Sequence, residues 1–545
     1  MEDVRPERLP RPLPATVAAL CGVLAAAAAI GSGQLVAALV EPRSAPLLAV
    51  GNTAIDLTPE PVKQFAIRAF GESDKTALLA GMGVVLLVFA VLAGLVSRRG
   101  PRPGSVLVAA FGIVGIAAVL ARPDVGVLGV LAPVVATAAG VGVFGWLHGA
   151  AADADAERDA SGGARSGDEP GSDRETESGG ETPSDGERGP GRRRFLVSSV
   201  AVAAGAGVAG GLGSLPTGGR SGGSPAAQQA VGRALNAPPA QPVPAGADFR
   251  ADGTPTFITP NRDFYRVDTA LSVPSVDLDS WRLRVHGMVD RELDLGFADL
   301  ARFPRVTRTI TMTCVSNEVG GPYISTAEFT GVPIRDVLLA AGVRPGAEQV
   351  FSTSADGFTA GTPTDALLEA ERGALLAFGM NGEPLPAQHG YPVRMVTPGL
   401  YGYVSATKWL TDLELTTFAK PAYWIERGWG QRGPIKLQSR IDRPSGFAKV
   451  PAGRNAVAGI AWAQTIGIDA VEVRVDGGPW QPAQLSTEVN DQTWRMWRAD
   501  VDLAPGGHTV ECRATDRNGQ VQTPRRASVL PDGATGWHSV FCTAN

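Results

Sequence analysis

The sequence predicts a multi-domain protein: an N-terminal α-helical transmembrane bundle, then an α+β domain, then a C-terminal unit of strands and tight turns. Three observations carry this. Four long apolar runs crowd the first 150 residues, an acidic stretch almost free of apolar residues follows them, and nearly all Trp and Tyr lie beyond residue 250 among alternating and β-branched segments. The 545 residues leave room for several domains. A net charge of −5 shows no basic surplus and argues against a nucleic-acid partner.

Residues 1–150 read as a four-helix transmembrane region, with spans at Ala15–Val40, Ala77–Val96, Ser105–Ala121 and Val125–Trp146. Each approaches the ~20 residues a helix needs to cross the hydrocarbon core. Buried core helices are a poor alternative, because the runs carry almost no charge and charged loops separate them. Arg5, Arg8 and Arg11 before the first run, and Arg98, Arg99 and Arg102 after the second, place the N-terminus in the cytoplasm. The loop from Glu41 to Lys75 then faces outward, and the chain returns to the cytoplasm after the fourth span. The expected location is the cell membrane, multi-pass, in contact with lipid. His148 is the only histidine near a span, so a bundle haem with two facing histidines is not expected, and the chain has no CxxCH.

Residues 151–191 are Asp-, Glu-, Gly-, Ser- and Arg-rich and read as an acidic disordered linker. Residues 192–216 begin with Arg192-Arg193-Arg194-Phe195-Leu196 and continue as a mild Gly/Ala run. They resemble a twin-arginine export signal; a fifth transmembrane helix with a basic cytoplasmic end is the other reading. Both put the remainder of the chain outside the cytoplasm. Gly205-Ala206-Gly207-Val208-Ala209-Gly210 matches GxGxxG, but no acid lies about 20 residues on to take a ribose, so nucleotide binding is not expected.

Residues 217–250, rich in Gly, Pro, Ala and Gln, read as a tether. Within 251–440, Trp281–Gly287 alternates as a strand, and Gly331–Gly342 reads as a short helix started after Pro333. No regular βαβ rhythm appears, which suggests α+β. Cys314, in Thr311-Met312-Thr313-Cys314-Val315-Ser316-Asn317, has no nearby cysteine. A lone thiolate is a poor zinc site. Three roles stay open on residues alone: a nucleophile, a buried apolar thiol, or the single protein ligand of a metal that brings its other ligands on a cofactor.

Three blocks resemble the sulfite oxidase family of molybdenum enzymes in its membrane-anchored bacterial form: Asn261–Asp268, the Cys314 segment, and His389–Arg394 with Pro398–Gly402 and Lys408-Trp409. The resemblance implies a molybdenum–molybdopterin cofactor with Cys314 as the metal's thiolate, soft sulfur suiting that centre. It implies that Tyr265, Arg266, Asp356, His389, Arg394, Ser405, Thr407 and Lys408 bind the cofactor, whose phosphate calls for cations and donors. Arg266 also falls where the family lines its substrate pocket. The family's catalytic tyrosine falls at Trp429, within Tyr423–Trp429, and Glu318-Val319 replaces the arginines that hold sulfite. Both departures disfavour a dianion as substrate. Oxygen-atom transfer on a sulfite-like or on a sulfoxide- or N-oxide-like molecule is expected, in either direction.

Residues 441–545 hold hairpin signals such as Val471–Trp480, with an Asp-Gly turn. They are similar to the family's immunoglobulin-like C-terminal β-sandwich, which often mediates dimers. Whether Cys512 and Cys542 pair is left open by their spacing. No haem, flavin or nicotinamide motif is seen, so a separate redox partner, a cytochrome or a quinol-linked protein, is implied. Two other readings remain: a catalytically inactive binding or assembly protein of the same fold, and a cysteine-dependent hydrolase.

Overall fold

The computed structural model describes residues 12–41, 44–59, 62, 65, 74–122, 125–163, 190–214, 224–267, 270–271 and 273–545. They fall into two units, Met1–Gly218 and Gly219–Asn545.

The first unit is helical. Four helices are long and apolar enough to cross a membrane: Ala15–Val40, Ala77–Val96, Arg102–Leu120 and Val127–Ala156. Small residues let them approach closely, since a Cβ on Gly22 or Gly94 would overlap the backbone of the facing helix at Ala90 or Ala18. At the arginine-rich ends, His148 Nε2 lies 2.7 Å from the Ser97 carbonyl and Arg98 Nε donates to Leu13 O at 2.7 Å. His148 is therefore a structural tie between helix ends.

Two expectations change here. The loop expected to face outward contains a short helix, Pro46–Leu57, started by a proline in its first turn. The fourth helix continues to Gly163, because Ala, Asp, Glu and Arg after residue 150 are adequate helix formers. The linker therefore starts later than residue 151, and its residues 164–189 lie outside the described residues. Arg192–Arg194 lie in the first turns of the helix Pro190–Ser214, whose apolar part, Phe195–Ala209, is shorter than a full span.

The second unit holds four sheets. One runs Leu293–Gly296, Arg282–Gly287, Leu410–Thr416, Gln349–Ser354, Thr359–Pro363, with Arg282–Gly287 parallel to Leu410–Thr416 and its other pairings antiparallel. The next runs Val306–Thr313, Ile324–Pro333, Leu375–Met380, Glu383–Pro384, with Arg394–Val396 also on Leu375–Met380. Both share one apolar core, including Ile310, Phe329, Val350, Phe378 and Leu413. The expected helix is Ile334–Ala341. The tether is shorter than expected: Pro225–Ala234 is a helix, capped by Ser224 Oγ at 3.1 Å, that buries Ala227 and Val231 in that core.

The C-terminal part packs two sheets around Val471, Trp497, Val510 and Cys512. Their orders are Gln438–Arg443, Gly453–Trp462, Arg495–Leu503, Gln484–Leu485 and Ala448–Val450, His538–Ala544, Gly506–Asp516, Ile468–Val475, Gln481–Pro482. Strand Gln438–Arg443 spans the expected 440/441 boundary and belongs wholly to these sheets. Cys512 pairs in register with His538, and Cys542 with His508. Four residues along a ladder is about 13 Å, beyond disulfide reach of about 7 Å. Both thiols are free and buried.

Candidate active site

Cys314 follows the strand Val306–Thr313, and a loop carries the chain back to Ile324–Pro333. The loop closes on itself. Cys314 N–H donates to Tyr323 O (3.0 Å), Asn317 N–H to Cys314 O (3.1 Å), and Tyr323 N–H to Asn317 Oδ1 (2.8 Å). Burial raises the thiol pKa, opposed by hydrogen bonds from Ser316 and the charge of Lys408. Asn317 is 3% exposed, and its Nδ2 has no hydrogen-bond partner. Among the described residues no three His, Cys, Asp or Glu side chains gather as a metal set.

Three basic side chains come from the turn and strand Ala387–Val396 and from Lys408. His389 Nε2 lies 3.0 Å from Asn261 O, so Nε2 carries the proton, because a carbonyl only accepts. Burial, then the Arg394, Lys408 and Arg266 charges, push its pKa down to about 4, so the ring is neutral at pH 7. Arg394 is 3% exposed and donates only to carbonyls, at His389 (3.0 Å), Met395 (3.3 Å) and Ala406 (3.4 Å). Burial lowers its pKa to about 10, and the Tyr265 phenol is the one acid that opposes this. It is a buried cation without a carboxylate partner among the described residues. Lys408 Nζ donates to Gln388 O at 3.1 Å and lies 5.2 Å from the Trp409 ring centre. Trp409 Nε1 donates to Ala387 O at 2.7 Å, which closes the block.

The other expected residues divide. Tyr265 stacks on Phe264 at 5.4 Å and meets Tyr323 edge-on at 6.4 Å; burial raises its pKa, and it feels both Cys314 and Arg394. Arg266 is close enough to depress His389. Ser405 Oγ donates to Leu400 O (3.2 Å) and Tyr401 O (3.0 Å), and Thr407 Oγ1 bonds Ser352 Oγ at 2.7 Å, so both hydroxyls are engaged by the fold. Asp356 accepts from Ser354 Oγ in a turn that Ala355 N–H ties to Trp409 O at 2.8 Å. Trp429 is buried between Tyr403 (5.7 Å) and Trp424 (6.1 Å), in an apolar cluster with Val315, and its Nε1 has no partner. Glu318 is exposed.

Sequence reasoning missed Tyr401. Its phenol is kept protonated by burial, and Cys314 is among the groups that raise its pKa. The Pro398–Gly402 block contained it, but nothing in the block indicated which way it would turn. Together these residues bring near one another a soft thiol, a buried guanidinium with no carboxylate partner among the described residues, and an unpaired amide donor. They fit an anionic, acceptor-rich ligand, as a phosphate-bearing pterin is.

Residues 270–424 match the family model described as the oxidoreductase molybdopterin binding domain. The chain is 31% identical over 333 residues to a sulfite oxidase of Gallus gallus, covering 52% of this chain and 72% of that one. It is 30% identical over 342 residues to the mitochondrial sulfite oxidase of Homo sapiens, covering 52% of this chain and 62% of that one. The sulfane dehydrogenase SoxCD of Paracoccus pantotrophus aligns with a TM-score of 0.47 at 23% identity, covering 55% of this chain and 85% of that chain. The chain belongs to the sulfite oxidase family, and it is a molybdenum-dependent oxidoreductase that uses a molybdopterin cofactor.

Proposed function

We propose that the protein is a membrane-tethered, extracytoplasmic enzyme that transfers an oxygen atom to or from a small substrate, with Cys314 as the protein ligand of molybdenum. The single observation that carries this is Arg394, a buried cation with no carboxylate partner among the described residues, which shares the neighbour Tyr265 with Cys314 and the neighbour His389 with Lys408. When bound, the cofactor supplies two-electron chemistry and the transferable oxygen. The chain's share is to hold it: Arg394, Lys408, Arg266 and His389 toward its anionic end, with Ser405, Thr407 and Asp356 shaping the walls. His389 acts as a neutral N–H donor.

Around the thiol, Tyr265, Tyr401 and Trp429 form the substrate side. None of them is charged at pH 7, and the Trp429 indole can donate but not accept. A neutral sulfoxide or N-oxide suits that wall better than sulfite does. Electrons pass to or from a partner protein, a cytochrome or a quinol-linked one. Residues 1–150 tether the enzyme through lipid, with the N-terminus cytoplasmic, and 192–216 serve as an export signal or a fifth span. The cofactor domain lies within 251–440. The C-terminal sandwich, from about residue 438, is immunoglobulin-like and a candidate homodimer surface.

The test is full-length protein purified in detergent from cells that make the cofactor. About one molybdenum per chain is expected, with turnover of a sulfoxide or of sulfite that Cys314→Ser abolishes. A chain with cofactor but no turnover of either class would favour the inactive binding or assembly reading. A chain without molybdenum but with alkylation-sensitive hydrolysis would favour the hydrolase.

A further inference from the structure

We propose that Arg440 and His538, both supplied by the C-terminal sheets, are positioning residues that fix the loop carrying Cys314 and so set how its thiol meets the metal. This rests on the reading of Cys314 as the metal's ligand. The loop's own hydrogen bonds secure its base at Cys314–Tyr323, its first turn at Asn317 and, from Gly321 N–H to Glu318 O at 2.8 Å, the turn into its tip, while the Gly321 carbonyl is taken by a residue from outside the loop. Arg440 Nη1 donates to Gly321 O at 2.8 Å, while Arg440 Nε is oriented by Asp442 Oδ1 at 2.8 Å. Their side chains are 11% and 15% exposed, so this is an inward-facing pair and not a surface one.

His538 covers the neighbouring residue. Its Nδ1 accepts from Ile441 N–H at 2.9 Å, which leaves the proton of the neutral ring on Nε2. Burial, Arg440 and Arg526 keep the ring neutral. Gly320 has φ +83°, and a Cβ built there would overlap the imidazole. Ring and loop tip therefore fill one space that only glycine allows.

The strand behind Cys314 is held by the same part of the chain. Val306–Thr313 is a sheet edge, and its outer side would be left unpaired. Instead Thr311 N–H donates to Gln492 O (3.0 Å), Gln464 Nε2 to Thr311 O (2.6 Å) and Asn490 Nδ2 to Thr309 O (3.1 Å). Trp494 N–H donates to Thr311 Oγ1 at 2.8 Å. C-terminal residues thus take the place of a missing strand three residues before the cysteine and grip the loop tip six residues after it. A ligand held from both sides needs that bracket to stay in register, as outer supports of metal ligands generally do.

The experiment uses the full chain in detergent, with Arg440→Gln made together with Asp442→Asn so that no unpaired acid is left, and with His538→Ala. In loaded protein each should shift the Mo(V) electron paramagnetic resonance spectrum and lower kcat about 10- to 100-fold, with Arg440→Lys recovering part of it. In protein from cells unable to make the cofactor, each should speed alkylation of Cys314, followed by peptide mass spectrometry, by about tenfold. Unchanged spectrum and unchanged alkylation would overturn the proposal. Should the single variants fail to fold, Gly320→Ala is compared in His538 and His538→Ala backgrounds. Its effect on alkylation should be smaller without the ring, and strict additivity would count against the bracket. Wild-type protein without molybdenum would sink the reading of Cys314 as ligand, while the alkylation arm would still judge the bracket.

Discussion

Two walls of residues near Cys314 are built on opposite principles. On one, Arg394 and Lys408 are charged and pinned by main-chain carbonyls of their own block, so their positions follow from the backbone. On the other, Tyr265, Tyr401 and Trp429 are uncharged at pH 7 and held by packing, Tyr265 and Trp429 against other aromatic rings and Tyr401 within an apolar cluster. The first wall suits an anion whose shape never changes. The second holds Trp429, where the sequence is expected to depart from the family pattern.

The comparison can be broken most sharply at its centre. Cys314→Ser should reduce turnover by about 10²-fold or more, yet keep most of the pterin, because the cationic wall is untouched. Equal loss of pterin and activity, measured as pterin fluorescence after release, would show that the two walls are not separable. Arg394→Met should weaken cofactor retention by about 10- to 100-fold, as expected for one charge-assisted pair. The same change should leave the empty protein as stable as before or more so, since it removes a buried charge held only by carbonyls, with no carboxylate partner among the described residues. A lower Tm of empty Arg394→Met would contradict that.

Acid should act on both histidines. His389 and His538 each have a folded pKa lowered to about 4 from 6.5 by burial and nearby arginines. The unfolded chain therefore binds protons between pH 6.5 and 4 that the folded chain refuses. Stability from this source is complete above pH 6.5 and declines as pH falls through that window, by up to about 3 kcal/mol per histidine. Denaturant midpoints for His389→Gln and His538→Gln should flatten over that range.

The smallest effects belong to the aromatic wall and the remote thiols. Glu318→Arg combined with Trp429→Tyr should improve kcat/KM for sulfite by about tenfold, one charge-assisted contact's worth. A reductant should leave Tm unchanged, because Cys512 and Cys542 are free.

The four long apolar helices were legible because a helix that can cross lipid needs one uniform composition over its length. The gathering of His389, Arg394 and Lys408 was legible because these residues sit close together in sequence and local backbone fixes them. What was hidden depends on distance along the chain. The register that separates Cys512 from Cys542 is set by strand pairing, and the cluster in which Tyr401 packs is set by the path of its turn. Arg440 and His538 meet the Cys314 loop across the two parts of the second unit. The extension of the fourth helix to Gly163 is hidden for another reason: a charged composition reads as disorder, yet its Ala, Glu and Arg also favour helix.

The bracing of strand Val306–Thr313 by Gln464, Asn490 and Gln492 also has a consequence for the order of events during synthesis. These partners leave the ribosome long after Cys314 does, and His538 later still. Until then the cysteine strand is an open edge and its loop has no lid over Gly320. The strand and loop that carry Cys314 therefore reach their final form only after the last strands of the chain have been made and closed.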